Sequence, residues 1–308
     1  MSRTGFAAQL ACHGPHAPMR EAPSLREARA YCRRLAKRHY ENFTVGSLLL
    51  PRAMRPHFFA VYAYCRWADD LADEVKSRAD SLALLDWWQE QLMDCYAAKA
   101  THPVFVALRE TVLQFDIPPR PFLDLLTAFR RDQRQRRYET RDDLLDYCRG
   151  SANPVGRLVL YLGRSHDAEL VDLSDAVCTG LQLANFCQDV ANDWQRGRIY
   201  LPQEHCRRAG YDESMFASGV YNAEFRQLLA GEVQYAEDLL LRGWSLVARV
   251  PRDLQLDIAL FVRGGLAVLQ AIRQVEYDVW SRRPTLGKLA KMRLVLNTWA
   301  DVRRGRLN

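Results

Sequence analysis

Two clusters of acidic residues stand at helical spacing in stretches that are otherwise apolar. The first cluster runs from Arg66 to Glu74 and contains Asp69, Asp70 and Asp73. Because residues three and four apart are neighbours on a helix, these carboxylates lie close to one another. Crowded like charges are unfavourable unless a cation stands among them, and Arg66 supplies one positive charge a turn earlier.

The second cluster is a polar stripe in an apolar segment that runs from Val177 to Val190. Its members follow one another at steps of three, four and four, and they are Gln182, Asn185, Asp189 and Asp193. This spacing predicts one continuous helical stripe. A polar stripe on an apolar helix must face water or a polar cavity.

Carboxylates of this kind are suited to holding Mg²⁺ around a phosphate group. Mg²⁺ binds one or two carboxylates and completes its shell with waters and substrate phosphate oxygens. The candidate metal ligands are Asp69, Asp70, Asp73, Asp189 and Asp193. If the clusters face each other, metals between them would neutralise a leaving diphosphate, and an apolar cavity would hold a hydrocarbon tail. The alternative is that both clusters are solvated helix faces. A solvated face does not require the Gln and Asn residues of the second cluster.

Other metal and nucleotide chemistries lack their motifs here. No Glu has a His three residues later, which argues against the di-iron helical bundles. The HExxH, GxGxxG and GxxxxGK[ST] patterns are absent too. The seven histidines are scattered, and we expect them to be structural or exposed.

Composition points to a globular chain in a reducing compartment. Among 308 residues, 48% are apolar, and 43 basic residues against 37 acidic ones give a net charge of +6. The eight cysteines form no CxxC pair, so neither a zinc ribbon nor a disulfide framework is expected.

Basic residues cluster at three places, which are 33–38, 130–137 and 303–306. Such clusters suit phosphate or anionic lipid. No nucleic-acid-binding motif accompanies them, so we expect no nucleic-acid partner.

Apolar residues recur at three and four almost throughout, and strand-like alternation is scarce. We therefore predict an all-α fold of about ten helices around one core. The expected domains are a mobile tail over 1–23 and a single helical domain over 24–308. The longest apolar stretch, Leu254 to Ile272, carries Asp257 and Arg263, so no membrane span is predicted.

Three motifs resemble those of the squalene/phytoene synthase family. They are the segments Tyr62–Glu74, Asp146–Gly150 and Gln182–Pro202, and the similarity extends from about Tyr31 to about Trp299. The resemblance implies the isoprenoid-synthase helical bundle with a central cavity. It also implies Mg²⁺-dependent handling of an isoprenoid diphosphate.

The same resemblance assigns roles to individual residues. Asp69, Asp73, Asp189 and Asp193 would hold Mg²⁺. The residues expected to bind the diphosphate are Arg66, Gln182, Asn185 and Arg198. The residues expected near the phosphate or a developing cation are Tyr147, Tyr200 and Tyr277. For the tyrosines the alternative is a core position with a satisfied hydroxyl, and for Arg198 and Tyr200 it is loop packing.

Three departures from the family pattern refine this interpretation. Gln188 stands where two-step synthases commonly carry an Arg, Asn153 lies in an Asn-Pro-Val-Gly segment, and residues 39–48 differ from the usual small and Ser residues. This combination resembles the hydroxysqualene synthase branch of bacterial hopanoid pathways. Asn153 and Gln188 are candidates for positioning a trapping water, with structural polarity as the alternative.

The expected function is therefore that of a hydroxysqualene synthase acting on presqualene diphosphate, with Mg²⁺ as cofactor. The alternatives are a squalene, dehydrosqualene or phytoene synthase acting on two prenyl diphosphates, and a non-catalytic assembly factor. The implied partners are a synthase that makes presqualene diphosphate and a membrane surface that exchanges the apolar substrate and product. The expected location is the cytoplasm, at the inner face of a bacterial membrane.

Overall fold

The computed structural model describes residues 5–18, 21–38 and 50–306. Among them there are helices and turns but no strand, which confirms the all-α prediction. The chain divides into two compact units, Met1–Arg134 and Gln135–Asn308, and each is described by itself. A single domain over 24–308 stays a prediction.

The first unit contains six helices among its described residues. They are α1 (Phe6–His13), α2 (Leu25–Arg38), α3 (Arg55–Asp73), α4 (Arg78–Tyr96), α5 (Pro103–Gln114) and α6 (Arg120–Asp132). Prolines stand in the first turns of α3, α5 and α6, where the missing N–H costs nothing. Ser77 caps α4 by accepting from the Asp80 N–H.

Helix α3 is the central element of the first unit, and aromatic side chains dominate its contacts. Trp67 stacks on Trp88 of α4 at 5.2 Å, and Tyr64 meets Phe122 of α6 edge-on at 4.8 Å. The Tyr64 hydroxyl donates to the Phe122 carbonyl at 3.0 Å, so this buried polar group is satisfied. These contacts fix α3 along its length and thereby fix the carboxylates at its end.

A short helix lies where the sequence predicts a mobile tail. In α1 the side chain of Phe6 is buried and its ring meets Trp67 at 5.3 Å. An apolar anchor of this kind offsets part of the entropy lost on ordering a terminus. The mobility of residues 1–23 itself stays a prediction.

The second unit contains ten helices among its described residues. They are α7 (Arg141–Ser151), α8 (Asn153–Leu162), α9 (Ala168–Gln188), α10 (Val190–Gln195), α11 (Gln203–Ala209), α12 (Glu213–Ala217), α13 (Ala223–Gly243), α14 (Leu246–Arg249), α15 (Arg252–Gln274) and α16 (Lys288–Arg303). Four of them have four to seven residues. Such short helices show no clear apolar period, so the sequence predicts fewer helices than the structure has.

Helix α9 is the centre of the second unit and packs against α8, α13 and α15. Two glycines permit its close approach to α13. A Cβ at Gly180 would lie 3.0 Å from the Ala236 carbonyl oxygen, and one at Gly243 would lie 3.0 Å from that of Leu173. The site residues of α9 therefore stand on a tightly packed helix.

One helix of the described residues, α15, is long and apolar enough to cross a membrane by length and composition. A core helix passes the same test, and α15 packs against α9, α13 and α16. Its buried side chains include Leu254, Ile258, Val262 and Leu269. This packing places α15 inside the second unit.

Candidate functional site

The first acidic cluster lies on the last turns of α3, as the spacing predicts. Arg66 reaches Asp69 at 3.3 Å and Glu74 at 3.8 Å, and it forms its shortest contact with Asp70. Burial raises the pKa of Asp70 to about 6, although the hydrogen bond from Arg66 opposes that shift. The half-buried Arg66 and the buried Asp70 therefore form an ion pair inside the cluster.

The three aspartates of this cluster differ in accessibility. Asp70 is 2% exposed, whereas Asp69 and Asp73 lie on the more open side of α3. An oxygen that is buried against a guanidinium is a poor choice for a water-rich Mg²⁺ shell. The geometry favours Asp69 and Asp73 as metal ligands and Asp70 as the residue that holds Arg66, while the predicted ligand role of Asp70 stays a prediction.

The second acidic cluster lies at a junction between two helices. Helix α9 ends at Gln188, Asp189 has non-helical dihedral angles of −105° and 14°, and α10 begins at Val190. The backbone still bonds across the break, from the Asp189 N–H to the Asn185 carbonyl and from the Asp193 N–H to the Asp189 carbonyl. The stripe predicted as one helix is thus interrupted at Asp189.

Gln182 is half-buried and Asn185 is exposed on α9, and Asp189 and Asp193 are half-buried. These four residues all belong to the second unit. The predicted polar stripe therefore exists, with its acidic end displaced onto the junction and α10.

Arg283 contacts the junction from a distant part of the chain. Its Nη2 donates to Asp189 Oδ2 at 2.8 Å and to Gln188 Oε1 at 2.8 Å, and its Nε also donates to Asp189. The Gln188 amide nitrogen donates to the Pro284 carbonyl oxygen. Both polar atoms of the buried Gln188 side chain are thus engaged in holding the 283–284 segment against Asp189.

Asp193 is held among charges of both signs. Burial raises its pKa to about 7, and the neighbouring Asp189 carboxylate adds to the shift, whereas Arg198, Arg196 and Arg283 lower it. The Arg198 N–H donates to the Asp193 carbonyl oxygen at 2.8 Å. Arg198 therefore lies beside the second acidic cluster, and its role in binding the diphosphate stays a prediction.

Four aromatic rings form a cluster beside the end of α9. Phe186 and Tyr200 stack face to face at 3.8 Å, and Tyr147 and Tyr138 meet Tyr200 at 5.9 and 5.7 Å. Backbone bonds from Ile199 to Arg136 and from Gln203 to Tyr138 fix the segment that carries Tyr200. Two of the predicted tyrosines, Tyr147 and Tyr200, are thereby brought together.

Two other predicted residues lie elsewhere in the second unit. Tyr277 follows α15 in the left-handed region at φ 68° and lies beside the Arg273 guanidinium, whose pKa it helps to raise. Asn153 is buried at the start of α8, where its side-chain oxygen accepts from Thr179 of α9 at 2.9 Å. The structure gives these two residues structural partners, and their catalytic roles stay predictions.

The donor set suits a hard divalent cation that is shared with a phosphate. Among the described residues, no group of three or more His, Cys, Asp or Glu side chains is arranged to hold a metal ion by itself. Mg²⁺ needs only one or two carboxylates when substrate oxygens and waters complete the shell. Burial and the neighbouring Asp189 carboxylate raise the pKa of Asp193, and a cation held by this pair would lower it.

The sequence interpretation missed Arg283, Phe186 and Tyr138. Phe186 lies inside a recognised motif, and Tyr138 follows the basic cluster at 130–137. Arg283 stands 94 residues from Asp189, so no local spacing connects them. The departure at residues 39–48 lies outside the described residues.

Comparison with known proteins gives the family. The family model for squalene/phytoene synthase matches residues 36–290, so the chain belongs to this family. Its members are enzymes that act on prenyl diphosphates, and they share the helical isoprenoid-synthase fold.

Individual relatives have different activities. A 15-cis-phytoene synthase of Synechococcus elongatus is 30% identical over 90% of this chain and 95% of the relative. A hydroxysqualene synthase of Sinorhizobium fredii is 35% identical over 72% of this chain and 75% of the relative. The crystal structure of squalene synthase HpnC from Alicyclobacillus acidocaldarius is 45% identical, covers 82% of this chain and 95% of that chain, and has a TM-score of 0.79.

Proposed function

We propose that the chain is a hydroxysqualene synthase, which converts presqualene diphosphate and water into hydroxysqualene and diphosphate. The observation that carries the proposal is the neutral, buried Gln188 directly before Asp189. An enzyme that condenses two prenyl diphosphates must neutralise two diphosphates, whereas this reaction involves one. The similarity to a hydroxysqualene synthase supports the same choice.

The residues that would hold Mg²⁺ are Asp69, Asp73, Asp189 and Asp193, whose oxygens match its preference. When bound, Mg²⁺ supplies neutralisation of the negative charge on the departing diphosphate. Arg66, Gln182, Asn185 and Arg198 bind and orient the diphosphate in this proposal. Arg283, whose guanidinium lies against Asp189, would be a further phosphate ligand in this proposal.

The reaction begins when the carbon–oxygen bond to the diphosphate breaks and the electron pair leaves with the diphosphate. The resulting cyclopropylcarbinyl cation rearranges, water oxygen bonds to the carbon, and the proton lost from that water leaves with the diphosphate. In this proposal the stacked rings of Tyr147, Phe186 and Tyr200 would stabilise the positive charge of the cation. No reductant is required, because the addition of water to the cation and the loss of a proton involve no oxidation or reduction.

The trapping water needs a polar neutral group near the cation. Both polar atoms of Gln188 are used in holding Arg283 and Pro284, so Gln188 acts as a positioning residue for Arg283. Asn153 remains the candidate that positions the water. It is buried, and Thr179 fixes its side-chain oxygen.

The proposal is tested by offering the enzyme two different substrates. The protein is incubated with Mg²⁺ and either presqualene diphosphate or farnesyl diphosphate, without NADPH, and extracted products are identified by mass spectrometry. Hydroxysqualene from presqualene diphosphate, and no product from farnesyl diphosphate alone, is the expected result. A C30 product from farnesyl diphosphate alone would overturn the proposal.

The second candidate is a synthase that condenses two prenyl diphosphates, which would make the enzyme a transferase instead of a lyase. The match to a phytoene synthase over 90% of this chain favours it. A non-catalytic assembly factor is disfavoured, because it would have no need of the four aspartates at 69, 73, 189 and 193.

The proposed reaction implies partners and a location. A separate enzyme must supply presqualene diphosphate, and a functional pairing with it is part of the proposal. Substrate and product carry long hydrocarbon chains, so the enzyme would work in the bacterial cytoplasm at the inner membrane face.

A further inference from the structure

Helix α16 (Lys288–Arg303) exposes one row of apolar side chains, while Leu294, Val295 and Val302 are half-buried. Its only fully buried residue is Thr298. The exposed fractions are 77% for Leu289, 56% for Met292, 57% for Leu296 and 40% for Trp299. Steps of three, four and three place these side chains on one helix face. A surface helix normally buries such a stripe, so its orientation here needs an explanation.

Polar contacts to α15 hold the other face of α16 inward. Arg263 Nη1 donates to Asp301 Oδ2 at 2.8 Å and to Thr298 Oγ1 at 3.2 Å. The Thr298 hydroxyl donates to the Leu294 carbonyl at 2.7 Å. Turning the apolar stripe inward would break these half-buried bonds, so the stripe stays outside.

Basic residues accompany the exposed stripe. Helix α16 contains Lys288, Lys291, Arg293 and Arg303, and Arg304 and Arg306 follow it. Between 288 and 306 the one acidic residue is Asp301, which pairs with Arg263. The Arg303 guanidinium lies over the Trp299 ring at 4.2 Å. An exposed apolar row with a Trp and flanking cations is a feature of segments that contact a membrane interface.

We propose that α16 docks the protein on an anionic membrane surface. The stripe of Leu289, Met292, Leu296 and Trp299, called the α16 stripe below, enters the boundary between headgroups and acyl chains. Lys288 and Arg293 stand at the two edges of the stripe and contact lipid phosphates. This surface would make the contact with the membrane whichever isoprenoid reaction the enzyme performs.

The area of the stripe argues against a second copy of the chain as its occupant. With about 250 Å² as an upper limit for one side chain, the four exposed fractions offer less than about 600 Å². A standard interface buries about 800 Å² on each partner. Binding to a bilayer requires no minimum contact area, because basic and apolar side chains contribute independently to the affinity of the protein for the bilayer.

Vesicle sedimentation without substrate tests the docking surface. Full-length protein is mixed with vesicles of phosphatidylcholine containing phosphatidylglycerol, or of phosphatidylcholine alone. The variant is Leu289→Gln with Leu296→Gln, and the matched control is Leu113→Gln with Leu241→Gln, which changes two exposed leucines outside α16. We expect the α16 variant to lose at least about tenfold in partitioning to anionic vesicles, with the control unchanged.

A second set of measurements separates charge from apolar contact. Lys288→Gln with Arg293→Gln is expected to weaken binding to anionic vesicles and to leave the weak binding to neutral vesicles unchanged. Brominated acyl chains are expected to quench tryptophan fluorescence in the wild type, with less quenching in Trp299→Phe.

Two results overturn the proposal. One is vesicle partitioning that is equal in the wild type, the α16 variant and the control. The other is a wild-type dimer by light scattering that Leu289→Gln with Leu296→Gln converts to a monomer while vesicle partitioning stays the same. That second result would assign the α16 stripe to a copy of this chain.

Discussion

Arg283 pairs with both carboxylate oxygens of Asp189, although 94 residues separate the two in sequence. The same guanidinium donates to the side-chain oxygen of the buried Gln188. A cation thus reaches the second acidic cluster from a distant segment, while the position before Asp189 is neutral. In the proposed reaction, this arrangement would place one fixed positive charge beside the single diphosphate.

The first prediction concerns Arg283. Replacing it with Gln removes a charge-assisted pair, so kcat/KM for the diphosphate substrate is expected to fall about tenfold to a hundredfold. Arg282→Gln is the matched control, since Arg282 is exposed and adjacent. Steady-state kinetics at saturating Mg²⁺ measures both. Equal losses in the two variants would contradict a specific role for Arg283.

The second prediction concerns the metal ligands. Asp189→Asn and Asp69→Asn are each expected to lower Mg²⁺-dependent diphosphate release more than about a hundredfold, because an amide is a weaker ligand than a carboxylate. Asp172→Asn changes an exposed carboxylate of α9 and is the control. Circular dichroism checks that all three variants fold. Near-normal release by Asp189→Asn would remove Asp189 from the metal site.

The third prediction concerns the aromatic cluster. If its rings stabilise a cation, Tyr200→Leu lowers kcat about threefold to thirtyfold while Tyr200→Phe keeps most of the rate. Tyr200 stacks on Phe186 at 3.8 Å, so the leucine variant also needs a melting curve to separate lost stability from lost catalysis. A phenylalanine variant as slow as the leucine variant would assign the effect to the hydroxyl.

The fourth prediction concerns Asp257, which is buried on α15 with no hydrogen-bond partner for either carboxylate oxygen. Burial raises its pKa to about 8 from 3.8. The folded protein therefore holds a proton that the unfolded chain releases, so the free energy of unfolding falls as pH rises from about 4 to about 8. The slope from this group approaches about 1.4 kcal/mol per pH unit.

Asp257→Asn cannot ionise, so its free energy of unfolding should fall less over that pH range. The control is Asp253→Asn on the exposed start of the same helix. Urea unfolding between pH 5 and pH 8 measures the slope. Parallel pH dependences for the wild type and Asp257→Asn would show that Asp257 is ionised in the folded protein.

The sequence was sufficient to predict the helical class and the helical spacing of the first acidic cluster, because helical period and carboxylate spacing are local properties. It predicted that Asp69 and Asp73 share one face of a helix. It did not predict the break at Asp189, since backbone bonds continue across the junction and the apolar period does not change. Contacts between distant segments, such as Arg283 with Asp189, have no signature in spacing.

The orientation of α16 shows a second kind of limit. The period of Leu289, Met292, Leu296 and Trp299 alone favours a buried face. Arg263 on another helix fixes Thr298 and Asp301 instead, and this decides which side lies inward. The side of a helix that faces inward thus depends on partners in other helices, and the sequence of the helix alone does not identify those partners.

The source of the product oxygen tests the central claim most directly. The wild-type protein is incubated with Mg²⁺ and presqualene diphosphate in water enriched in ¹⁸O, and the C30 product is analysed by mass spectrometry. Trapping of the rearranged cation by water predicts an alcohol that carries ¹⁸O, formed without a reductant. A hydrocarbon product, or an alcohol that contains only ¹⁶O, would contradict the account.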